Sequence, residues 1–406
     1  MKKVISLLLC ICVLFSLFGC KSKTNVEDIE NTKTEPKVNY SDNLKAVWLS
    51  FYEIGDIFKD LDEAAAKEKL NAMFTDLADR GINTVFFHVR AFCDAFYQSD
   101  YFPVSAYCAS DYDLFKHAVF YAHKQKLSIQ AWVNPYRVAL DTTIDRLPGD
   151  SPAVKLYKED KSHLILVGGN IFLNPASAKA QKLILNGIRE IVSKYDVDGI
   201  HFDDYFYPSA EKGIDKVSYA AYREVGSRLK LEDYRRENVT ALIAATHLIV
   251  KQHNSNMLFG VSPQCFIEKN KTELFADIEK WIENDMVDYI MPQIYFGFEN
   301  ESAPFRSCVD TWCELMQGKQ PALYIGLALY KSGKEDEYAS DNTKSTDSPY
   351  YEWQNHSDII ARQIEYTLSK GIKGYSLYSF SSLTADSTDN ENLLNEVQNI
   401  QKLLKQ

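Results

Sequence analysis

Val197-Asp198-Gly199-Ile200-His201-Phe202-Asp203-Asp204-Tyr205-Phe206-Tyr207-Pro208 starts as a short β-strand and ends as a loop crowded with acids and aromatics. Strand side chains alternate with period two, so Ile200 and Phe202 face one way and Gly199, His201 and Asp203 the other. Charged groups are seldom fully buried without partners, so a face carrying His and Asp predicts a polar cleft. Two carboxylates, three aromatics and a proline then suit a strand end that opens beside a sugar-like ligand. The competing account makes both aspartates helix caps or members of a buried ion pair.

Outward from this strand, the chain alternates between short apolar runs and longer stretches of helical periodicity, the pattern of repeated βα units. The strands are expected at Ala46–Phe51, Thr84–Val89, Ser128–Val133, Gly199–Phe202, Leu258–Ser262, Tyr289–Ile294, Ala322–Leu327 and Gly374–Ser379. Helices are expected at Ala64–Arg80, Leu114–Lys126, Ala178–Tyr195, Thr272–Met286 and Ile359–Lys370, with Val217–Leu229 and Glu237–His253 between strands four and five and Asn390–Leu404 at the end. Eight such units predict an α/β fold, a (β/α)8 barrel in one domain. An open doubly wound sheet would normally bring a phosphate-cradling glycine loop, and none is present. Between strands three and four, the apolar runs flanking Gly168-Gly169 predict a small hairpin.

The start of the chain has a different character. Lys2 and Lys3 precede an apolar run from Val4 to Phe18 that leads into Gly19-Cys20. Residues 1–19 therefore read as a lipoprotein signal peptide, with Cys20 as the lipidation site and a bacterial membrane as the expected location. Residues 20–43 are polar and read as a flexible tether, leaving 44–406 for the barrel. No later run is long and apolar enough to span a bilayer. Beyond the signal lie Cys93, Cys108, Cys265, Cys308 and Cys313, an odd set without metal-type spacing, in which a Cys93–Cys108 disulfide is conceivable. The net charge of −11 argues against a nucleic-acid partner. No cofactor motif is present.

A barrel of this kind carries its chemistry where the strands end. Each expected strand offers one polar or aromatic column there. Trp48 comes from the first, His88 and Arg90 from the second, and Trp132 and Asn134 from the third, followed by Tyr136 and Arg137. The fourth gives His201, Asp203, Asp204 and Tyr205; the later ones give Gln264, Gln293, Tyr295, Tyr330 and Tyr378. Sugars need many hydroxyl hydrogen bonds and an aromatic face for their C–H surface, and this set supplies both. Glycosidic cleavage needs a proton donor and a second group acting as base or nucleophile. Asp203 is the first catalytic candidate, with Asp204 or Asp94 as its partner; Glu53 and Glu268 trail in loops of unknown direction. His201 either orients Asp203 or is a core histidine. A metal site built from His88, His201 and Asp203 is the other chemistry considered, without a supporting motif spacing.

At this point the residues resemble a known family. Asn83 through Arg90, Asp94 through Tyr97 with Ser99 and Pro103, Ala131 through Arg137, Asn174-Pro175, Val197 through Pro208, Arg235 through Val239, Phe259 through Pro263, Asp288 through Tyr295 and Leu323 through Tyr330 are similar to motifs of the bacterial glycosyl hydrolase-like family ten. The resemblance implies a TIM barrel and a glycosidase acting on envelope polysaccharide, including peptidoglycan glycan stripped of its peptides. It implies site roles for Asp203, Asp204, Asn134, Tyr136, Arg137, Gln293 and Tyr295. Ala176 follows Asn174-Pro175 where that family often has glycine. The strand-four motif also resembles that of chitinase-type barrels, but Tyr205 stands where their catalytic glutamate would be, so a mechanism assisted by the substrate's N-acetyl group does not carry over. The rival from another class is a saccharide-binding lipoprotein that keeps the cleft without chemistry.

Overall fold

The computed structural model describes residues 41–108, 111–340, 347–386 and 388–404. The expected signal peptide, Cys20 and the tether up to residue 40 lie outside them. Among the described residues, nine strands form one sheet: β1 (Leu44–Leu49), β2 (Thr84–Arg90), β3 (Ser128–Val133), β7 (Gly199–Phe202), β8 (Leu258–Val261), β9 (Tyr289–Ile290), β10 (Ala322–Leu323), β11 (Ile325–Leu327) and β12 (Gly374–Leu377). The numbers skipped belong to β4 (Arg137–Ala139), β5 (Leu164–Val167) and β6 (Asn170–Leu173), a separate antiparallel sheet ordered β4-β6-β5.

The large sheet runs β10-β9-β8-β7-β3-β2-β1-β12-β11, with every pair parallel. Its two ends, β10 and β11, are separated in sequence by Tyr324 alone. They are one segment that pairs with β9 through Ala322 and Leu323 and with β12 through Ile325 to Leu327. The sheet therefore returns on itself as the barrel that the alternation of strands and helices predicts. Strand nine is shorter than its apolar run suggests because Pro292 has no N–H to donate; its carbonyl still accepts from Gly326.

The outer layer follows from helical periodicity. In the helix Glu63–Asp79, Asp62 caps the start by accepting from Ala65, and Ala66, Leu70, Met73, Phe74 and Leu77 form the buried stripe. The stretch expected as one helix at Thr272–Met286 is instead two short ones, Ile267–Thr272 and Ile278–Glu283. Phe275 has φ +53°, which no helix interior accepts, and Asp277 caps the new start at Ile278 by accepting from the Lys280 N–H. The helix expected from Glu237 begins earlier, at Leu231, and the one before it spans only Lys216–Glu224. The hairpin around Gly168-Gly169 forms, both glycines at positive φ, and β4 joins it as a third strand. The end of the expected tether is seated: the Ser41 carbonyl accepts from Tyr324 Oη at 2.6 Å.

Candidate active site

Going up β7, the lumen changes character within two residues. His201 is fully buried among Trp48, Phe86 and Tyr289. Trp48 Nε1 donates to His201 Nε2 at 3.2 Å, so the proton sits on Nδ1, which donates to Tyr289 Oη at 2.8 Å. Tyr289 Oη donates in turn to Gln130 Oε1 at 2.8 Å. Gly260 makes this chain possible, since a Cβ there would sit 2.0 Å from the Tyr289 ring. Burial lowers the His201 pKa to about 3, keeping the imidazole neutral. His201 is therefore a wired core residue. It neither orients Asp203 nor reaches a substrate, and with both nitrogens engaged it is no metal ligand. Among the described residues no three His, Cys, Asp or Glu groups converge as a ligand set.

Asp203 follows β7 at the mouth, 4% exposed. Its Oδ2 accepts from Trp132 Nε1 at 3.1 Å, a donor shared with Asn134 Oδ1 at 3.2 Å, and its Oδ1 accepts from the Tyr205 N–H at 3.2 Å. Burial, then the neighbouring Asp204 charge, raises the Asp203 pKa well above the usual carboxylate range against the pull of Arg137. Asp204 turns the other way, as expected of consecutive strand residues. Gln264 Nε2 donates to its Oδ2 at 3.0 Å and Gln293 Nε2 approaches its Oδ1 at 3.5 Å. Strand-like bridges pairing Gln264 with Gln293, and Gln293 with Gly326, continue the barrel past Pro263 and Pro292 and bring both amides to this carboxylate. Burial raises the Asp204 pKa too, with the amide donors opposing it. The two adjacent carboxyl groups titrate as a coupled pair, with Asp203 pushed up further than Asp204.

Around the pair stand two walls. On one side the Arg137 guanidinium lies between the Tyr205 ring at 4.2 Å and the Phe92 ring at 4.6 Å, and Phe92 stacks on Tyr107. His88 stacks on Trp132 with ring centroids 3.6 Å apart, and burial keeps it neutral. On the other side Tyr378 meets Trp48, Tyr295 and Tyr330 within 5.7–6.1 Å and shares a 3.0 Å hydrogen bond with Tyr52. Tyr205 is 43% exposed and Tyr52 40%, so aromatic surface faces outward on both walls. Lys331 supports the second wall from behind, donating to the Tyr295 carbonyl at 2.9 Å while paired with Asp336 at 2.7 Å.

Three residues from the sequence-derived set stand elsewhere. A register irregularity between His88 and Arg90 turns Arg90 out of the lumen, over the Phe102 ring at 3.9 Å and against Gly187 of the helix Ala178–Lys194. A Cβ on Gly187 would meet the guanidinium at 2.4 Å. Tyr136, just after Pro135, is fully buried in the core between strands and helices. Asp94 lies within its own loop beside Ser105, its Oδ1 buried without a partner; the charges that act on Asp203 are those of Asp204 and Arg137. Glu53 is a clamp. Its Oε2 accepts from the Ser50 backbone and hydroxyl at 2.8 and 2.6 Å, and its Oε1 from Ser379 Oγ and the Ser381 N–H at 2.5 and 2.8 Å. It thereby ties the end of β1 to the end of β12. Tyr52 and Phe92 are site residues the sequence did not single out; both sit next to strand-end positions, which is the only signal they carry.

The profile of the glycosyl hydrolase-like 10 family matches residues 43–342. The chain belongs to that family. Among curated relatives, glycosyl hydrolase YngK of Bacillus subtilis is 30% identical over 314 residues, covering 71% of this chain and 61% of the relative. Glycosyl hydrolase DigH of Escherichia coli K12 is 32% identical over 289 residues, covering 64% of this chain and 65% of the relative. The chain thus spans somewhat under two thirds of these relatives. Among solved structures, the PgaB (BpsB) glycoside hydrolase domain of Bordetella bronchiseptica superposes with a TM-score of 0.55 at 14% identity, covering 88% of this chain and 98% of that one. The β-amylase catalytic domain of Paenibacillus polymyxa gives 0.56 at 12% identity, covering 90% and 99%. At such identities these likenesses speak for the barrel fold alone.

Proposed function

We propose that this chain is a glycoside hydrolase that cleaves O-glycosidic bonds of an envelope polysaccharide from a lipid anchor on Cys20. Peptidoglycan glycan stripped of its peptides is the first substrate to test. One observation carries the reading: two adjacent carboxyl groups, one held protonated to unusually high pH, lie at a strand end between walls of exposed aromatic rings. Asp203, with its raised pKa, is the proton donor to the leaving oxygen. Asp204, held by the Gln264 and Gln293 amides, is the carboxylate that activates water or meets the developing positive charge. Arg137 limits the rise of both pKa values. Tyr205 on one wall and Tyr52, Tyr295, Tyr330 and Tyr378 on the other offer ring faces to sugar C–H surfaces. Membership in a glycosyl hydrolase-like family supports the reaction class.

The deciding experiment incubates the protein with peptide-free glycan strands and counts new reducing ends. Wild type should release them, and Asp203→Asn should bind the strands without releasing any. Binding by wild type without product from any envelope glycan would make the chain a saccharide-binding lipoprotein instead. For the anchor, metabolic labelling with a fatty acid should mark the wild type and fail to mark Cys20→Ala; equal labelling of both would remove it.

A further inference from the structure

The described residues hold five cysteines, all free thiols: Cys93, Cys108 and Cys265 are buried, Cys308 and Cys313 half-buried. Their surroundings differ. Cys93 lies beside Arg90 and Asp94 and accepts from the Ala153 backbone, while Cys108 neighbours Tyr112. The pairing conceivable from sequence, Cys93 with Cys108, is not formed. Cys265 directly follows Gln264, and its carbonyl accepts from Trp312 Nε1 at 2.8 Å. Trp312 belongs to the helix Phe305–Met316, and Cys308 precedes it there by one turn, so both project from the same helix face toward Cys265. The Cys265 and Cys308 thiols are near enough to act on each other's ionisation. Cys313 sits on another side of that helix, near Asp310 and Lys370.

We propose that Cys265 and Cys308 are a disulfide-forming site, closed by a small-molecule disulfide such as oxidised glutathione or cystine. Cys308 is the more open of the two, so an oxidant in solution reaches it first. The Cys308 thiolate therefore attacks the oxidant, giving a mixed disulfide and one released thiol. The Cys265 sulfur then displaces the second thiol. Two protein thiols and one external disulfide become one protein disulfide and two external thiols; both electrons and both protons leave with the oxidant. The bond would fasten the chain one residue after Gln264 to an outer helix, and the loop it closes contains Gln293. Both amides that hold Asp204 would thus be braced. The site does not depend on which glycan, if any, is cleaved.

The test is thiol mapping of the intact protein. After incubation with excess oxidised glutathione, the protein is denatured, alkylated and digested with trypsin. The expected product joins fragment 252–269, carrying Cys265, to fragment 307–319, with Cys93 and Cys108 fully alkylated. Fragment 307–319 also carries Cys313, so the link should survive in Cys313→Ser and vanish in Cys308→Ser. The oxidised wild type should also melt several degrees above the reduced protein, because closing the loop restricts the unfolded chain. Complete alkylation of all five thiols, a glutathione adduct with no link, a Cys313 link or a Cys93–Cys108 link would each overturn the proposal. If Cys308→Ser fails to fold, the wild-type and Cys313→Ser maps still decide it.

Discussion

His201 and Asp203 stand two residues apart on one face of one strand, yet they belong to different kinds of place. At the floor, Trp48, His201, Tyr289 and Gln130 pass hydrogen bonds along a closed chain. At the mouth, Asn134 Nδ2 and Ser262 Oγ are buried without partners, and the Arg137 guanidinium lies between the Phe92 and Tyr205 rings. A buried polar group left unpaired costs about 1–3 kcal/mol, so a fold tolerates several together where something outside the chain completes them. The floor is finished by the protein itself. At the mouth polar groups are left open, and the carboxyl pair sits there.

Substitutions at the two levels should therefore fail in different ways. The largest effect is expected from Asp203→Asn, with turnover falling roughly 10²–10⁴-fold while glycan binding persists. Its stability should move the other way. Native Asp203 keeps its proton to higher pH than the unfolded chain does, so the native state binds more protons between those two values and loses stability as pH rises through that window. Asp203→Asn should accordingly melt higher than wild type at pH 8, with the gap closing below the ordinary carboxylate range. A mutant that melts lower at pH 8 would contradict the buried, proton-holding carboxyl.

His201→Phe should show the reverse pattern. It leaves the Trp48 N–H and the Tyr289 hydroxyl buried without their partner, a loss of about 1–3 kcal/mol for each. Denaturant unfolding should report that loss, while the pH dependence of turnover in the folded fraction stays that of wild type. The native imidazole, with its pKa near 3, refuses a proton that the unfolded chain takes up near pH 6.5. Wild type should thus lose stability as pH falls from about 6.5 towards 3, and His201→Phe should lack that component. A shifted pH–rate profile in this variant would mean that the floor tunes the mouth after all.

How much of this contrast the sequence carried can be stated residue by residue. Period-two alternation on β7 assigned His201 and Asp203 to the lumen correctly, because strand phase survives any twist of the sheet. It said nothing of depth, which depends on where the Tyr289 and Trp48 rings reach from other strands. Phase failed where the backbone left the regular strand: the irregularity at His88–Arg90 turned Arg90 outward, and Pro135 ended β3 before Tyr136. The split of the Thr272–Met286 helix was equally hidden, since the apolar spacing continues through Phe275 while the backbone does not. Gln264 and Gln293 were named from their strand ends, but their shared hold on Asp204 depends on bridges that form only once the barrel closes.

A smaller effect separates the two walls of the mouth. Arg137 acts on both carboxyl groups, lowering each pKa against the upward push of burial. Arg137→Gln should therefore carry both limbs of the pH–rate profile to higher pH, with the values belonging to the pair as a whole. Limbs that stay in place would show that the guanidinium serves the substrate alone.

The smallest effect tests the opposite wall. Tyr52→Phe keeps the ring and removes only the hydroxyl that meets Tyr378 at 3.0 Å. The lost hydrogen bond amounts to about 0.5–1.5 kcal/mol, and part of it returns through water because Tyr52 is 40% exposed. Tyr378 itself stays packed against Trp48, Tyr295 and Tyr330, so neither carboxyl group moves. KM should rise a few-fold with kcat unchanged, the signature of a contact made equally to the bound sugar and to its transition state. A comparable fall in kcat would place this wall in the chemical step, and the mouth would then have to be treated as a single unit from Tyr52 to Tyr205.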